Sequence, residues 1–140
     1  MARWTEKCEE LNLMAGSVGF RNILESTQAA SIVVVTLVIE LDGETLGEFV
    51  SSNSVAVVDF YSNWCPPCRI MDPVFRKVSE DMADHVAFGR INISKHGQIS
   101  REHEIRGIPT LVMFRDGNYV DRIVGVKPKT RVTSWIRDRM

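Results

Sequence analysis

The sequence has few cysteines and almost no net charge, and each shortage excludes a class of protein. Three cysteines in 140 residues are too few for a secreted domain held together by disulfides, and the odd number leaves Cys8 without an evident partner. With 17 Lys and Arg against 18 Asp and Glu, the formal net charge is -1. No overall basic field attracts phosphates, so we expect no nucleic-acid partner.

Long apolar runs are also lacking. The longest one, IVVVTLVI at positions 32–39, is far shorter than the roughly 20 residues that cross a bilayer. The N-terminus, MARWTEKCEELN, contains acidic residues and no apolar stretch of the kind that a secretory signal needs. We therefore expect no membrane association and a cytoplasmic location.

What is present is typical of a globular protein. Hydrophobic residues make up 44% of the chain and charged residues 25%, and 140 residues suit one domain with a single core. Residues 1–30 differ from the rest, because apolar side chains recur at helical spacing on both sides of Gly16. We predict an N-terminal extension of two short helices over 1–30 and a main domain over 31–140. The extension is interpreted as an appendage that is docked on the domain or partly mobile, with a partner-binding segment as the alternative. Cys8 lies on the apolar stripe and is interpreted as a small buried hydrophobe, with a regulatory thiol as the alternative.

In the main domain, strand and helix patterns alternate. Asp42 or Thr45 is expected to cap the first helix, and Pro73 is expected to kink the helix that follows the second strand. The order β-α-β-α-β-α-β-β-α predicts an α/β fold of three layers, with helices on both faces of a central mixed sheet. Strands are predicted at 32–39, 55–61, 86–93, 110–114 and 119–124, the last two joined by an Asp-Gly hairpin turn.

Positions 62–73 read SNWCPPCRIMDP, in which Cys65 and Cys68 flank two prolines. Cys65 is expected at the first turn of a helix, where unpaired N–H groups and the helix dipole favour a thiolate. Cys68 lies one turn further along, close enough to form a disulfide with Cys65. We expect Cys65 to be the exposed thiol that attacks a substrate disulfide, and Cys68 to be the sheltered thiol that releases the product.

Other uses of the cysteine pair are disfavoured. A zinc site needs a second pair of ligands, and the choices are Cys8, His85, His96 and His103, none at the spacing of a zinc finger. Covalent haem attachment needs a histidine after the second cysteine, where this chain has Arg69. A structural disulfide around so small a loop removes little unfolded-state entropy.

Asp59 is the one charged residue of the apolar strand VAVVDFY at 55–61. A buried carboxylate is costly unless it is neutral or paired, and burial raises its pKa toward the range useful for proton transfer. Our hypothesis is that Asp59 accepts the proton of Cys68, directly or through a water. The alternative is a structural carboxylate held by hydrogen bonds or by Arg90 in the next strand.

A third motif, RGIPT at 106–110, precedes a strand and could contain a cis peptide bond before its proline. Together with it, VVDFYSNWCPPCR and RIVG, in this order and spacing, resemble the thioredoxin family over about three quarters of the chain. The resemblance implies a thioredoxin fold and dithiol-disulfide exchange without a bound cofactor. It makes Cys65 the nucleophile, Cys68 the resolving thiol, Asp59 the buried acid and Pro109 a cis-proline beside the thiols.

The resemblance also implies a flat apolar rim that receives partners, with the backbone of Ile108 offered to an extended substrate segment. For Ile93 and Val124 in this rim, local packing is an equally good explanation. The family usually has Gly-Pro between the cysteines, and Pro66 in place of that glycine predicts an altered reduction potential of unresolved sign. The expected substrate-binding residues are Trp64, Pro66, Pro67, Ile93, Gly107, Ile108, Val124 and Gly125.

The leading expectation is therefore a monomeric reductase of disulfide-containing client proteins. The family implies that a flavin-dependent thioredoxin reductase, or a similar donor, returns electrons to it from NADPH. One alternative is a specialised disulfide oxidase or isomerase. The Trp-Cys-Pro-Pro-Cys centre is also similar to those of tryparedoxin and nucleoredoxin, although these relatives carry longer insertions. A third alternative is a thioredoxin-fold binding module without enzymatic activity.

Overall fold

The structure is a computed structural model that describes residues 37–140. The helices predicted at 1–30 and most of the strand predicted at 32–39 lie outside the described residues, as does Cys8. The order of strands and helices from residue 37 onward is the predicted one. Its elements are β1 (Val38–Leu41), α1 (Thr45–Ser51), β2 (Val55–Tyr61), α2 (Pro66–Met82), β3 (Ala87–Asn92), α3 (Gly97–Glu102), β4 (Thr110–Arg115), β5 (Asn118–Val124) and α4 (Lys129–Arg139).

The five strands form one mixed sheet in the order β1-β3-β2-β4-β5. β3 pairs in parallel with both β1 and β2, whereas β4 pairs antiparallel with β2 and β5. All seven residues of β2 are buried, because this central strand is covered on both faces. β2 therefore ends in the middle of the sheet, and the segment that contains the cysteines begins there.

Two hydrophobic clusters lie on opposite faces of the sheet. α2 and α4 cover one face, where Phe75 and Ile136 pack among strand residues such as Val57. α1 covers the other, where Leu46 and Phe49 pack against residues from the intervening strand positions. Helices on both faces confirm the predicted three-layer arrangement.

Local sequence explains most element ends. The Oδ1 atom of Asp42 accepts hydrogen bonds from the N–H groups of Glu44 at 2.8 Å and Thr45 at 2.9 Å, so the predicted cap is present before α1. Asp116 and Gly117 have φ values of 51° and 85°, as a tight hairpin turn requires. The predicted end of the first strand is wrong, because pairing with β3 extends β1 to Leu41.

The helix that follows β2 continues through Pro73 to Met82. Its buried residues recur at helical spacing, which explains why one face of α2 packs on the sheet. Of the helices within residues 37–140, none combines the length and the apolar character needed to cross a membrane.

Candidate active site

Cys65 lies at the junction between the central strand and α2. Its backbone is extended, with φ -116° and ψ 103°, and the helix begins at the next residue. The N–H of Cys68 donates a hydrogen bond of 3.2 Å to the Sγ of Cys65, which therefore acts as the cap of α2. Pro66 and Pro67 occupy the first helical positions, where a missing N–H removes no helical hydrogen bond. The sulfur of Cys65 is thus held over the positive end of the helix.

The two cysteines are joined in a disulfide, with their Cα atoms 5.2 Å apart. Cys65 is 7% exposed and Cys68 4% exposed, so both are buried in this oxidised form. The expected contrast between an exposed and a sheltered cysteine is therefore wrong for the disulfide. Both cysteines are buried because they lie in a small cluster with Tyr61, and Ile108 packs against this cluster.

The loop before β4 closes over the disulfide. The carbonyl oxygen of Ile108 lies 3.9 Å from the Sγ of Cys65, and the peptide bond from Ile108 to Pro109 is cis. The N–H of Gly125 donates to the carbonyl oxygen of Pro109 at 2.8 Å, and its φ of 91° is one that glycine adopts readily. The structure thus brings β4, β5 and the start of α2 together around the sulfurs.

Most of the expected rim lies around this junction. Trp64 is 87% exposed and Val124 49% exposed, although both are large apolar side chains. A Cβ atom at Gly107 would lie 3.2 Å from the Cγ1 of Val124, so these two residues are in contact. Ile93 differs, because its side chain packs against the core cluster on the α1 face. Its backbone N–H donates to the carbonyl oxygen of Tyr61 at 2.8 Å, which is its link to the site.

Asp59 is buried in the middle of the sheet. Its side chain is 1% exposed, and no group in the described part of the chain donates a hydrogen bond to its Oδ1 atom. Burial raises the pKa of Asp59 to about 7, and the positive charge of Arg90 opposes this rise. The pKa of this carboxyl group is therefore far above the ordinary value of 3.8 and lies near neutral pH.

Comparisons with known proteins identify this arrangement. The family model described as Thioredoxin matches residues 37–138. The chain belongs to the thioredoxin family. The thioredoxin of Mycoplasmoides gallisepticum is 39% identical over 92 residues, which are 66% of this chain and 91% of that protein. The thioredoxin of Chlamydia pneumoniae is 38% identical over 96 residues, or 69% of this chain and 92% of that protein.

Solved thioredoxins show the same fold. The thioredoxin of Malassezia sympodialis superimposes with a TM-score of 0.67 at 30% identity, covering 73% of this chain and 90% of that one. Thioredoxin-family membership and the Cys65–Cys68 disulfide make the chain a protein dithiol-disulfide oxidoreductase, a protein-disulfide reductase of the thioredoxin type. Membership of the family also implies disulfide-containing client proteins and a reductase that donates electrons.

Arg90 makes contacts near this site that the sequence did not indicate. The sequence offers Arg90 as a partner for Asp59, and the two residues lie opposite each other in the pairing of β2 and β3. Within residues 37–140, however, no ion pair joins them. The guanidinium contacts Asp72 at 3.4 Å and Glu40 at 3.6 Å instead, and its carbon lies 3.8 Å from the centre of the Tyr61 ring.

Sequence reasoning missed Asp72 and Glu40. Asp72 lies four residues after Cys68 on α2, so helical spacing alone places it on the same side of the helix. Asp72 and Arg90 border a surface depression of about 410 Å³ beside the disulfide. The residues that line this depression are Tyr61, Ser62, Asn63, Cys68, Arg69, Asp72 and Arg90.

Among the described residues, no group of three or more His, Cys, Asp or Glu side chains is placed to hold a metal ion.

Proposed function

We propose that the chain reduces client disulfides with Cys65 as the nucleophile, Cys68 as the resolving thiol and Asp59 as the acceptor of the Cys68 proton. The observation that supports this order of attack is the hydrogen bond from the N–H of Cys68 to the Sγ of Cys65 at the start of α2. In the reduced protein, the same N–H and the helix dipole stabilise a thiolate at Cys65. Cys68 lies inside the first turn and has no such position.

In the first step, the thiolate of Cys65 attacks one sulfur of a client disulfide. A bond forms between Cys65 and that sulfur while the client's S–S bond breaks. The departing client sulfur leaves as a thiolate and takes a proton from solvent. The result is a mixed disulfide between the protein and its client.

In the second step, Cys68 gives its proton to the carboxylate of Asp59 and attacks the Sγ of Cys65. The Cys65–Cys68 bond forms, the mixed disulfide breaks, and the second client sulfur leaves as a thiolate that takes up a proton. Two electrons have then passed from the dithiol to the client. A pKa of about 7 for Asp59 suits this role, because the group is ionised in part of the population and still basic enough to bind a proton.

The client is proposed to lie in an extended conformation along the loop that covers the sulfurs. Ile108 would offer its backbone, since its carbonyl already lies beside Cys65. Cis-Pro109 would fix the direction of that backbone. The apolar rim around them would be formed by Trp64, Pro66, Pro67, Ile93, Gly107, Val124 and Gly125.

Electrons are proposed to come from NADPH through a thioredoxin reductase, since the chain itself would hold no cofactor beyond its redox-active disulfide. The support for this donor is membership of the thioredoxin family. We further propose that the protein acts as a monomer in the cytoplasm. Light scattering tests the monomeric state, and cell fractionation tests the location.

An insulin reduction assay tests the function directly. The protein is expected to accelerate disulfide reduction by dithiothreitol, and then by a thioredoxin reductase with NADPH. A Cys65→Ser variant is the matched control and should give only the uncatalysed rate. If the wild-type protein were no faster than this control with both donors, the reductase proposal would be wrong.

The alternatives predict different results. A reduction potential near thioredoxin's value of about -270 mV supports a reductant, whereas a value far above it supports an oxidase or isomerase. A binding module would keep its cellular function in a Cys65→Ser, Cys68→Ser double variant. The proposed reductase would lose that function.

A further inference from the structure

Three charged residues from three neighbouring strands form a row across the sheet. The strand pairings place Glu40 of β1 opposite Arg90 of β3, and Arg90 opposite Asp59 of β2. Residues in register on parallel strands point to the same side of the sheet. All three therefore lie on the face that α2 covers, and Asp72 of α2 adds a third carboxyl group near the same guanidinium.

Within residues 37–140, Arg90 forms ion pairs with Glu40 and Asp72 and none with Asp59. Its Nη1 lies 3.4 Å from the Oδ1 of Asp72, and its Nε lies 3.6 Å from the Oε1 of Glu40. The guanidinium is stacked on the ring of Tyr61, whose hydroxyl donates to the Oε2 of Glu40 at 2.6 Å. The contacts of Arg90 with Asp72 and Glu40 are ion pairs and not hydrogen bonds, because neither the Nε of Arg90 nor the Oδ1 of Asp72 has a hydrogen-bond partner within residues 37–140. The two carboxylates at the edges of the guanidinium and the ring on its face favour this position over one turned toward a further carboxyl group.

We propose that Asp72 is a positioning residue for the resolving step: with Glu40, it holds the guanidinium of Arg90 away from Asp59. No cation among residues 37–140 forms an ion pair with Asp59, which is therefore a buried carboxyl group free to bind the proton of Cys68. Asp72 acts through Arg90 in this arrangement. The inference deepens the proposed function, because it rests on the proposed role of Asp59.

The charges around Asp59 agree on the direction of this effect. Arg90 and Arg76 lower the pKa of Asp59, whereas Asp72 and Glu40 raise it and burial raises it most. Arg76 is itself bound to the Oδ2 of Asp72 at 2.9 Å. Removing the charge of Asp72 therefore removes one repulsion and also frees Arg90 to approach Asp59, and both changes favour the ionised carboxylate.

Titration of Asp59 in the oxidised full-length protein tests the proposal. With ¹³C-labelled aspartate, the carboxyl signal of Asp59 is identified by its loss in an Asp59→Asn variant and followed by NMR against pH. We expect Asp72→Asn to lower the midpoint by about one pH unit. Asp72→Glu should restore it at least in part, because it returns the carboxylate to Arg90. Asp81→Asn is the matched control, since Asp81 lies on the same helix but pairs with Lys129.

A double-variant cycle separates action through Arg90 from direct repulsion. Arg90→Gln should raise the midpoint, and in that background Asp72→Asn should shift it by less than half as much as in the wild type. Arg90→Met, which is also neutral and of similar length, serves the same purpose if the glutamine variant does not fold. Equal shifts in both backgrounds, or an Asp72→Asn midpoint equal to that of the wild type, would overturn the proposal.

Failure of this inference can be told apart from failure of the proposed function. The titration uses the disulfide form and needs no turnover, so it reports on Asp72 even if the protein did not reduce insulin. In the active protein, the release of client from the mixed disulfide should show the same shift of its acid limb in Asp72→Asn. An unchanged acid limb, with Asp59 confirmed as the proton acceptor, would also count against Asp72.

Discussion

The Sγ of Cys65 accepts a hydrogen bond from the N–H of Cys68, the residue to which it is also joined covalently. The first turn of α2 therefore holds both sulfurs, with Pro66 and Pro67 between the two cysteines. Since neither proline has an N–H, Cys68 is the first residue of α2 that can donate to the sulfur. This asymmetry supports the proposed order of the two thiols in the reaction.

The first prediction concerns the mixed disulfide. A Cys68→Ser variant keeps the backbone N–H at position 68, so Cys65 should still attack a client disulfide. Without the resolving thiol the complex should persist, and turnover of insulin should fall by about two orders of magnitude or more, because a well-oriented intramolecular attack is lost. Mass spectrometry under non-reducing conditions detects the trapped complex.

Cys65→Ser is the control for this trap and should form no complex. If the trapped complex formed with Cys65→Ser and not with Cys68→Ser, Cys68 would be the nucleophile and the proposed order would be reversed.

The second prediction concerns stability against pH. The pKa of Asp59 is raised by burial from 3.8 to about 7 in the folded protein, so between these values the folded state holds a proton that the unfolded state has released. Rising pH therefore favours unfolding in this window. Asparagine does not ionise, so we expect the stability of Asp59→Asn not to fall in this window. Its free energy of unfolding should exceed that of the wild type by a few kcal/mol at pH 8 and by much less at pH 4.

Urea denaturation of the oxidised proteins at several pH values measures this difference. Asp84→Asn, at an exposed position beyond α2, is the control and should follow the wild-type curve. A constant difference between Asp59→Asn and the wild type from pH 4 to pH 8 would contradict the raised pKa.

Much of this architecture could be predicted because the relevant signals are local. Seven successive buried residues define β2, and Asp116 with Gly117 defines the hairpin. The cysteine pair before an amphipathic helix predicts a redox site from spacing and from the helix N-terminus. Each of these features is decided by residues close together in the sequence.

Other features depend on residues that are distant in the chain. Cys65 is buried because Ile108, 43 residues later, packs on the disulfide. Arg90 contacts Asp72 and Glu40 because three strands and a helix are brought into register. No local pattern contains this information. The sequence therefore indicated that Asp59 needed a partner, but not that Arg90 pairs with Asp72 and Glu40 instead.

The third prediction concerns the first proline between the cysteines. Pro66 restricts the loop in both redox forms, whereas glycine would give the open, reduced form more conformational freedom than the closed disulfide. Pro66→Gly should therefore favour the dithiol and make the reduction potential less negative, by roughly 10 to 20 mV for the 0.4–1 kcal/mol that such changes cost. Equilibration with glutathione measures both potentials, and equal values would show that Pro66 does not set the potential.

The fourth prediction concerns the packing of α1 on the sheet, and it uses two glycines with opposite surroundings. A Cβ atom at Gly89 in β3 would lie 2.6 Å from the Cδ1 of Leu41 and 3.1 Å from the Cε2 of Phe49. Gly89→Ala forces these core side chains to move and should lower the free energy of unfolding by about 1–3 kcal/mol. Gly47 in α1 is exposed, and a Cβ atom there has no neighbour within 4 Å. Gly47→Ala should therefore raise the free energy of unfolding by about 1 kcal/mol, because alanine has the higher helix propensity.

Urea denaturation at neutral pH measures both changes under one set of conditions. Because the two substitutions add the same methyl group, their opposite signs isolate packing from the chemistry of alanine. Neither residue is near the sulfurs, so both variants should reduce insulin at the wild-type rate while folded. A Gly89→Ala protein as stable as the wild type would mean that the side chains of Leu41 and Phe49 can move at no cost, and that the α1 face of the sheet is less tightly packed than their contacts indicate.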